Sequence, residues 1–171
     1  GESGYFWISY YDKCAGQHDE MGAISFRGVG PTPYDNFYYH DYHGWRDIKT
    51  DILEAFNAFT ADGEGDAGET LRAVSFYTVA DSVDYIARIY DRYEGGVLLD
   101  QLAEETGSFD HRGFHTVTLS TSLSLTYGDD FFVYVSLSHG GHAFDRTSMI
   151  PVLLGAKADI LVESSAAVGE S

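Results

Sequence analysis

Phe131-Phe132-Val133-Tyr134-Val135-Ser136-Leu137 is the stretch whose reading decides the fold. It is dominated by aromatic and β-branched side chains, which suit a pleated, half-buried surface. Tyr85-Ile86-Ala87-Arg88-Ile89-Tyr90 reads in the same way. Outward from these two, period-two alternation recurs at residues 4–11, 23–27, 53–61, 70–78, 114–119 and 157–163, which is the pattern of an antiparallel β protein. Turn-forming stretches separate the runs: Gly28-Val29-Gly30-Pro31-Thr32-Pro33, the acidic segment 61–68, Glu94-Gly95-Gly96, Tyr127-Gly128-Asp129 and His139-Gly140-Gly141-His142. Helical periodicity is weak throughout. Its best candidate, residues 98–105, is short and acidic and reads equally as a strand followed by a turn. The expected fold is all-β, an antiparallel β-sandwich of jelly-roll-like type.

The chain has 171 residues, 27 of them Asp or Glu and 10 Lys or Arg, for a formal charge of −17. A chain this long buries roughly 70% of its unfolded surface, so one core suffices without staples. The acidic excess is repelled by phosphate backbones and anionic headgroups, which argues against nucleic-acid partners and membrane surfaces. With 44% hydrophobic and 15% aromatic residues the chain is not a solvated coil. A carboxylate-rich surface suits high salt, bound Ca²⁺ or an extracellular setting. Cys14 is the sole cysteine, so there is no internal disulfide and no paired-cysteine zinc spacing. The sequence opens at Gly1 without an initiator Met or a basic leader, and no run of 18 apolar residues marks a membrane helix. It reads as a segment of a longer precursor whose targeting signal lies elsewhere.

No catalytic constellation stands out. Cys14 sits in Lys13-Cys14-Ala15-Gly16, which lacks the local motif of a nucleophilic cysteine and reads as an inert thiol. No Gly-x-Ser-x-Gly elbow occurs. Paired carboxylates carry no signal among so many acids. His139-Gly140-Gly141-His142 has two histidines but no marked third ligand, and reads as a solvated turn. The acidic segment fails the helix-loop-helix calcium pattern, having Ala67 at loop position six and Ala73 at position twelve. A Ca²⁺ site of another kind has Asp35, Asn36, Asp41 and Asp47 as its candidate ligands, with capped turns as the plainer explanation.

The densest local feature is the aromatic cluster Phe37, Tyr38, Tyr39, Tyr42 and Trp45. Sugars present C–H faces that stack on flat rings and hydroxyl edges that bond to Asp, Asn or His, and this segment supplies both kinds of group. The same rings also suit packing, and both roles are open at this point.

Three stretches together resemble a known family. Residues 34–45, Tyr-Asp-Asn-Phe-Tyr-Tyr-His-Asp-Tyr-His-Gly-Trp, are similar to the signature of the lectin-like domain that follows the catalytic domain in many bacterial and archaeal papain-like cysteine peptidases. Asn57-Ala58-Phe59-Thr60-Ala61 and Glu69-Thr70-Leu71-Arg72-Ala73-Val74-Ser75-Phe76-Tyr77-Thr78 resemble two of its strands. Gly113-Phe114-His115-Thr116-Val117-Thr118-Leu119, with residues 125–131, resembles a third pair. The sequence departs from the pattern at His40, where Gln is usual, and in the acidic insert.

Residues 4–12 are similar to the closing strand of a papain-like catalytic domain. The resemblance therefore implies a division into that strand (1–12), a linker and first strand (13–33), and a lectin-like sandwich with a truncated final strand (34–171). It implies a non-catalytic accessory domain of a secreted or surface peptidase, extracellular in location, which binds a glycan or cell-surface polymer. Binding would stack sugar on Tyr39, Tyr42 or Trp45 and hydrogen-bond it to Asp35, Asn36 and Asp41. The alternative is a structural or adhesion module that docks on the upstream peptidase domain by protein contacts.

Overall fold

In a computed structural model of the chain, residues 9, 11, 29–40, 45, 47–63, 68–145, 148–151 and 159–162 are described, the last two ranges by backbone alone. The chain divides into two compact units, Gly1–Asp35 and Asn36–Ser171. The expected strands at 4–11 and 23–27 lie almost wholly outside the described residues, as do Cys14, Asp41 and Tyr42.

Every regular element among the described residues is a strand. They run β1 (Asp47–Lys49), β2 (Glu54–Thr60), β3 (Glu69–Thr78), β4 (Val83–Glu94), β5 (Val97–Phe109), β6 (Gly113–Leu125), β7 (Asp130–Leu137), β8 (His142–Phe144), β9 (Ser148–Pro151) and β10 (Asp159–Val162). The first eight pair as β1 with β8, β2 with β7, β3 with β6 and β4 with β5, all antiparallel. The two numbers of each pair add to nine. That nesting is the mark of a jelly roll, in which a long hairpin is rolled so that its arms alternate between two sheets. One layer is the sheet β2-β7-β4-β5. The other holds the ladders β3-β6 and β1-β8, with β8 lying beside β3. The antiparallel β-sandwich read from the sequence is thus the observed fold.

Alternation builds the core. Val83, Ala87 and Ile89 of β4 point inward with Phe131, Val135 and Leu137 of β7, and Val74, Leu119 and Leu125 of β3 and β6 meet them from the other layer. Burying a side chain of this size contributes about 1.5–3 kcal/mol. The ladder between β3 and β6 slips between Leu71 and Ala73, and the slip keeps Leu71 and Val74 on the same inner face despite their odd separation.

The β4–β5 connection is a two-residue hairpin, Gly95-Gly96, with φ of 60° and 87°. Positive φ at both positions is the conformation that matches strand twist, and glycine adopts it without steric cost. Residues 98–105, the best helical candidate in the sequence, lie inside β5, because pairing with β4 overrides their weak propensity. β6 runs well past the expected 114–119, and its serine- and threonine-rich end keeps Leu123 and Leu125 on the same period as Val117 and Leu119.

Candidate functional site

Two surfaces compete for the role. The first is the corner containing the segment picked out from the sequence. Residues 36–40 alternate like a strand: Tyr38 and His40 turn inward, while Phe37 and Tyr39 are each 58% exposed. The Tyr38 ring stands edge-on to Phe131 at 5.3 Å and tilts against Phe59 at 6.0 Å. Its hydroxyl donates to Glu69 Oε2 (2.7 Å) and accepts from the Asp62 backbone N–H (2.9 Å). The Asn36 amide donates to the other carboxylate oxygen, Glu69 Oε1, at 3.0 Å. Burial, and then the bond to Glu69, hold the Tyr38 phenol well above its ordinary range, so it stays protonated. His40 stacks on Phe59 with ring centroids 4.7 Å apart and donates from Nε2 to the Ala58 carbonyl at 2.8 Å. Asn36, Tyr38, Glu69 and His40 thus spend hydrogen bonds on one another and on β2, tying the entering segment to the sandwich.

The other predicted residues do not gather there. Trp45 packs in a T-shaped contact on Tyr77, 5.9 Å away, and Tyr77 sits against its cross-strand partner Phe114 at 4.8 Å. Glu69, which holds Asn36, and Tyr77, which holds Trp45, are at opposite ends of β3, roughly 25 Å apart along the strand. Asp47 is on β1, where its Oδ1 accepts from the Ile48 N–H at 2.8 Å. Asp35 is exposed and belongs to the first unit. Among the described residues no three His, Cys, Asp or Glu side chains converge in the manner of a metal site.

The two-histidine turn has a structural explanation. Gly140 and Gly141 have φ of 91° and 87°, and a Cβ on Gly141 would overlap the Lys49 carbonyl oxygen. His139 donates from Nε2 to the Asp81 carbonyl at 3.1 Å. Burial lowers the affinity of His142 for a proton, as it does for His115, which lies 3.7 Å from Phe109 in a parallel stack and bonds Thr78 Oγ1 at 3.0 Å.

The second surface is the outer side of the β2-β7-β4-β5 sheet. Register places Phe56, Tyr134, Arg88 and Glu104 in one row across the four strands, and Ala58, Phe132, Tyr90 and Gln101 in the next. Tyr93 closes the group, 5.1 Å from Phe56 and 6.0 Å from Phe132, and is 45% exposed. Phe56 and Phe132 are 6.2 Å apart, and Tyr90 meets Tyr134 at 6.3 Å. The Arg88 guanidinium lies over the Tyr134 ring at 5.7 Å and bonds Glu104 at 2.6 Å. Arg92 joins Asp100 (2.6 Å) and Glu94 (2.8 Å) alongside. Sequence reasoning passed over these rings. Their signal was the unbroken apolar run 131–135, because a strand with one solvated face alternates and this one does not.

Fold and surfaces together define a jelly-roll β-sandwich that displays aromatic rings outside its core. Over residues 37–171 the chain matches the model of the lectin like domain family, and it belongs to that family. Neither the curated proteins nor the solved structures contain a match to it.

Proposed function

We propose that the chain is a non-catalytic, lectin-like accessory module that binds a glycan or other cell-surface polymer on behalf of an extracellular or surface papain-like cysteine peptidase. The observation that carries this reading is membership of the lectin-like family over residues 37–171. The resemblance of residues 4–12 to the closing strand of a papain-like catalytic domain supports the peptidase parent. The charge of −17 suits an exposed, salt-tolerant surface and disfavours polyanionic partners. Ca²⁺ is the cation that its carboxylate-rich loops would take.

Glycan-array screening followed by calorimetric titration, each with Ca²⁺ and with chelator, tests the reading. Saturable binding of a saccharide is the expected result. Absence of binding under both conditions removes the lectin function and leaves the fold standing. A second reading, docking on the peptidase domain, draws support from rings on the outer sides of both layers, Tyr77 and Phe114 on one and Phe132 and Tyr134 on the other. Co-purification of separately expressed peptidase and lectin-like segments, abolished by Phe114→Ala, is its test.

A further inference from the structure

We infer that the saccharide site is the outer face of the β2-β7-β4-β5 sheet and that its ligand is a neutral oligosaccharide laid across the strands. This rests on the glycan-binding reading and adds the place and the chemical class.

An antiparallel sheet with one face on the core ordinarily puts polar side chains on the other. Here Phe56, Phe132, Tyr134, Tyr90 and Tyr93 stand on the outer side, with ring neighbours 5.1–6.3 Å apart. The rings cover three adjacent strands, about 10 Å across, which is room for a short oligosaccharide. Three of the five end in a hydroxyl, so the surface offers both flat apolar area and hydrogen-bond groups. Tyr134 interacts with Ser136 and Glu54, and Tyr90 with Arg88, so these hydroxyls are held in place and keep capacity for a further bond to a sugar hydroxyl, while a pyranose C–H face stacks on the rings.

The border is fixed in advance. Arg88 is held by Glu104 and by the Tyr134 ring, and Arg92 by Asp100 and Glu94. Asp100 has φ of 56°, a left-handed conformation unusual outside glycine, two residues from Leu102, where the β4–β5 ladder slips. Guanidinium and carboxylate groups anchored in this way can donate to and accept from sugar hydroxyls without first being ordered. Each guanidinium already faces a carboxylate, so the border offers no free cation for a sulfate or uronate. The overall charge of −17 acts against such ligands as well.

The test uses the full chain. Calorimetry against neutral gluco-, manno- and galacto-oligosaccharides, and against sulfated and uronate-containing ones, is run on the wild type, Tyr93→Ala, Tyr90→Ala and Phe114→Ala, with melting curves to verify folding. A neutral oligosaccharide should bind, binding should weaken about tenfold or more in Tyr93→Ala and Tyr90→Ala, and Phe114→Ala, on the other layer, should match wild type. Aromatic-ring NMR of the wild-type protein reads the same face without substitution: the Tyr90, Tyr93 and Tyr134 signals should shift together on titration. Saccharide binding with unchanged affinity in both face variants and silent ring signals overturns the placement while the lectin function survives. Preference for the sulfated or uronate ligands overturns the neutral class. Binding of none of these saccharides overturns placement and function together.

Discussion

The corner around Tyr38 and the outer face around Tyr93 are built from the same kinds of residue and do opposite things with them. In the corner, Tyr38 turns its ring to Phe131 and Phe59 and its hydroxyl to Glu69, so ring and polar tip are both consumed by the fold. On the sheet face, rings of similar size meet mainly one another, and Tyr93 among them is 45% exposed. An aromatic–carboxylate combination in a sequence therefore does not distinguish a fastening from a binding surface. What separates them is whether the rings pack against the core or against one another on the outer side of a sheet.

That contrast breaks most readily at Tyr38. Tyr38→Ala should cost about 3–5 kcal/mol, since it empties a ring site between Phe131 and Phe59 and strips Glu69 and the Asp62 N–H of a partner. Thermal denaturation should show the midpoint falling by about 10 °C. A change of under about 2 °C would mean that the corner is not a fastening. Glu69→Ala removes the carboxylate but keeps the packing, so a smaller loss of about 1–3 kcal/mol is expected from chemical denaturation, with saccharide affinity unchanged. Affinity lost in the folded Glu69→Ala protein would bring the binding surface back to the corner.

Tyr93→Ala is the reciprocal case. Its side chain is 45% exposed and meets only Phe56 and Phe132 among the outer rings, so stability should change by no more than about 1 kcal/mol, as measured by urea titration, while ligand binding drops. The smallest effect concerns the interior end that neither surface includes. Burial depresses the His115 pKa below its usual value, so as pH falls through about 6.5 the unfolded chain takes up the proton first. Stability is complete above that pH and is lost as pH falls toward the folded value. The melting temperature should drop by about 2 °C between about pH 7.5 and 5.5, and His115→Asn should reduce the slope, the remainder coming from His142, whose proton affinity burial also lowers.

Legibility in the sequence followed the physics of each element. β4 and β7 were readable as strands because their aromatic and β-branched residues suit a pleated, half-buried surface. β1, β8 and β9, of three or four residues each, are too short to show a period. The aromatic segment 37–45 was legible as a cluster in the chain, yet it is not one in space: Tyr38 goes to the core and Trp45 to the outer side of the other layer. Sequence proximity groups residues along one strand, whereas a sheet face groups them across strands. The five rings of the outer face come from β2, β4 and β7, up to 78 positions apart, between Phe56 and Tyr134.

By itself the sequence determined that this is an acidic, antiparallel β protein with a family signature, because alternation, turn residues and charge are local properties of the chain. Only the tertiary structure decided the nested pairing of eight strands into two layers and, with it, which aromatic residues became neighbours. Register is set by long-range ladders. A shift of one residue would exchange Phe132 and Tyr134 for Phe131 and Val133 on the outer side, and no local property of the chain fixes that choice.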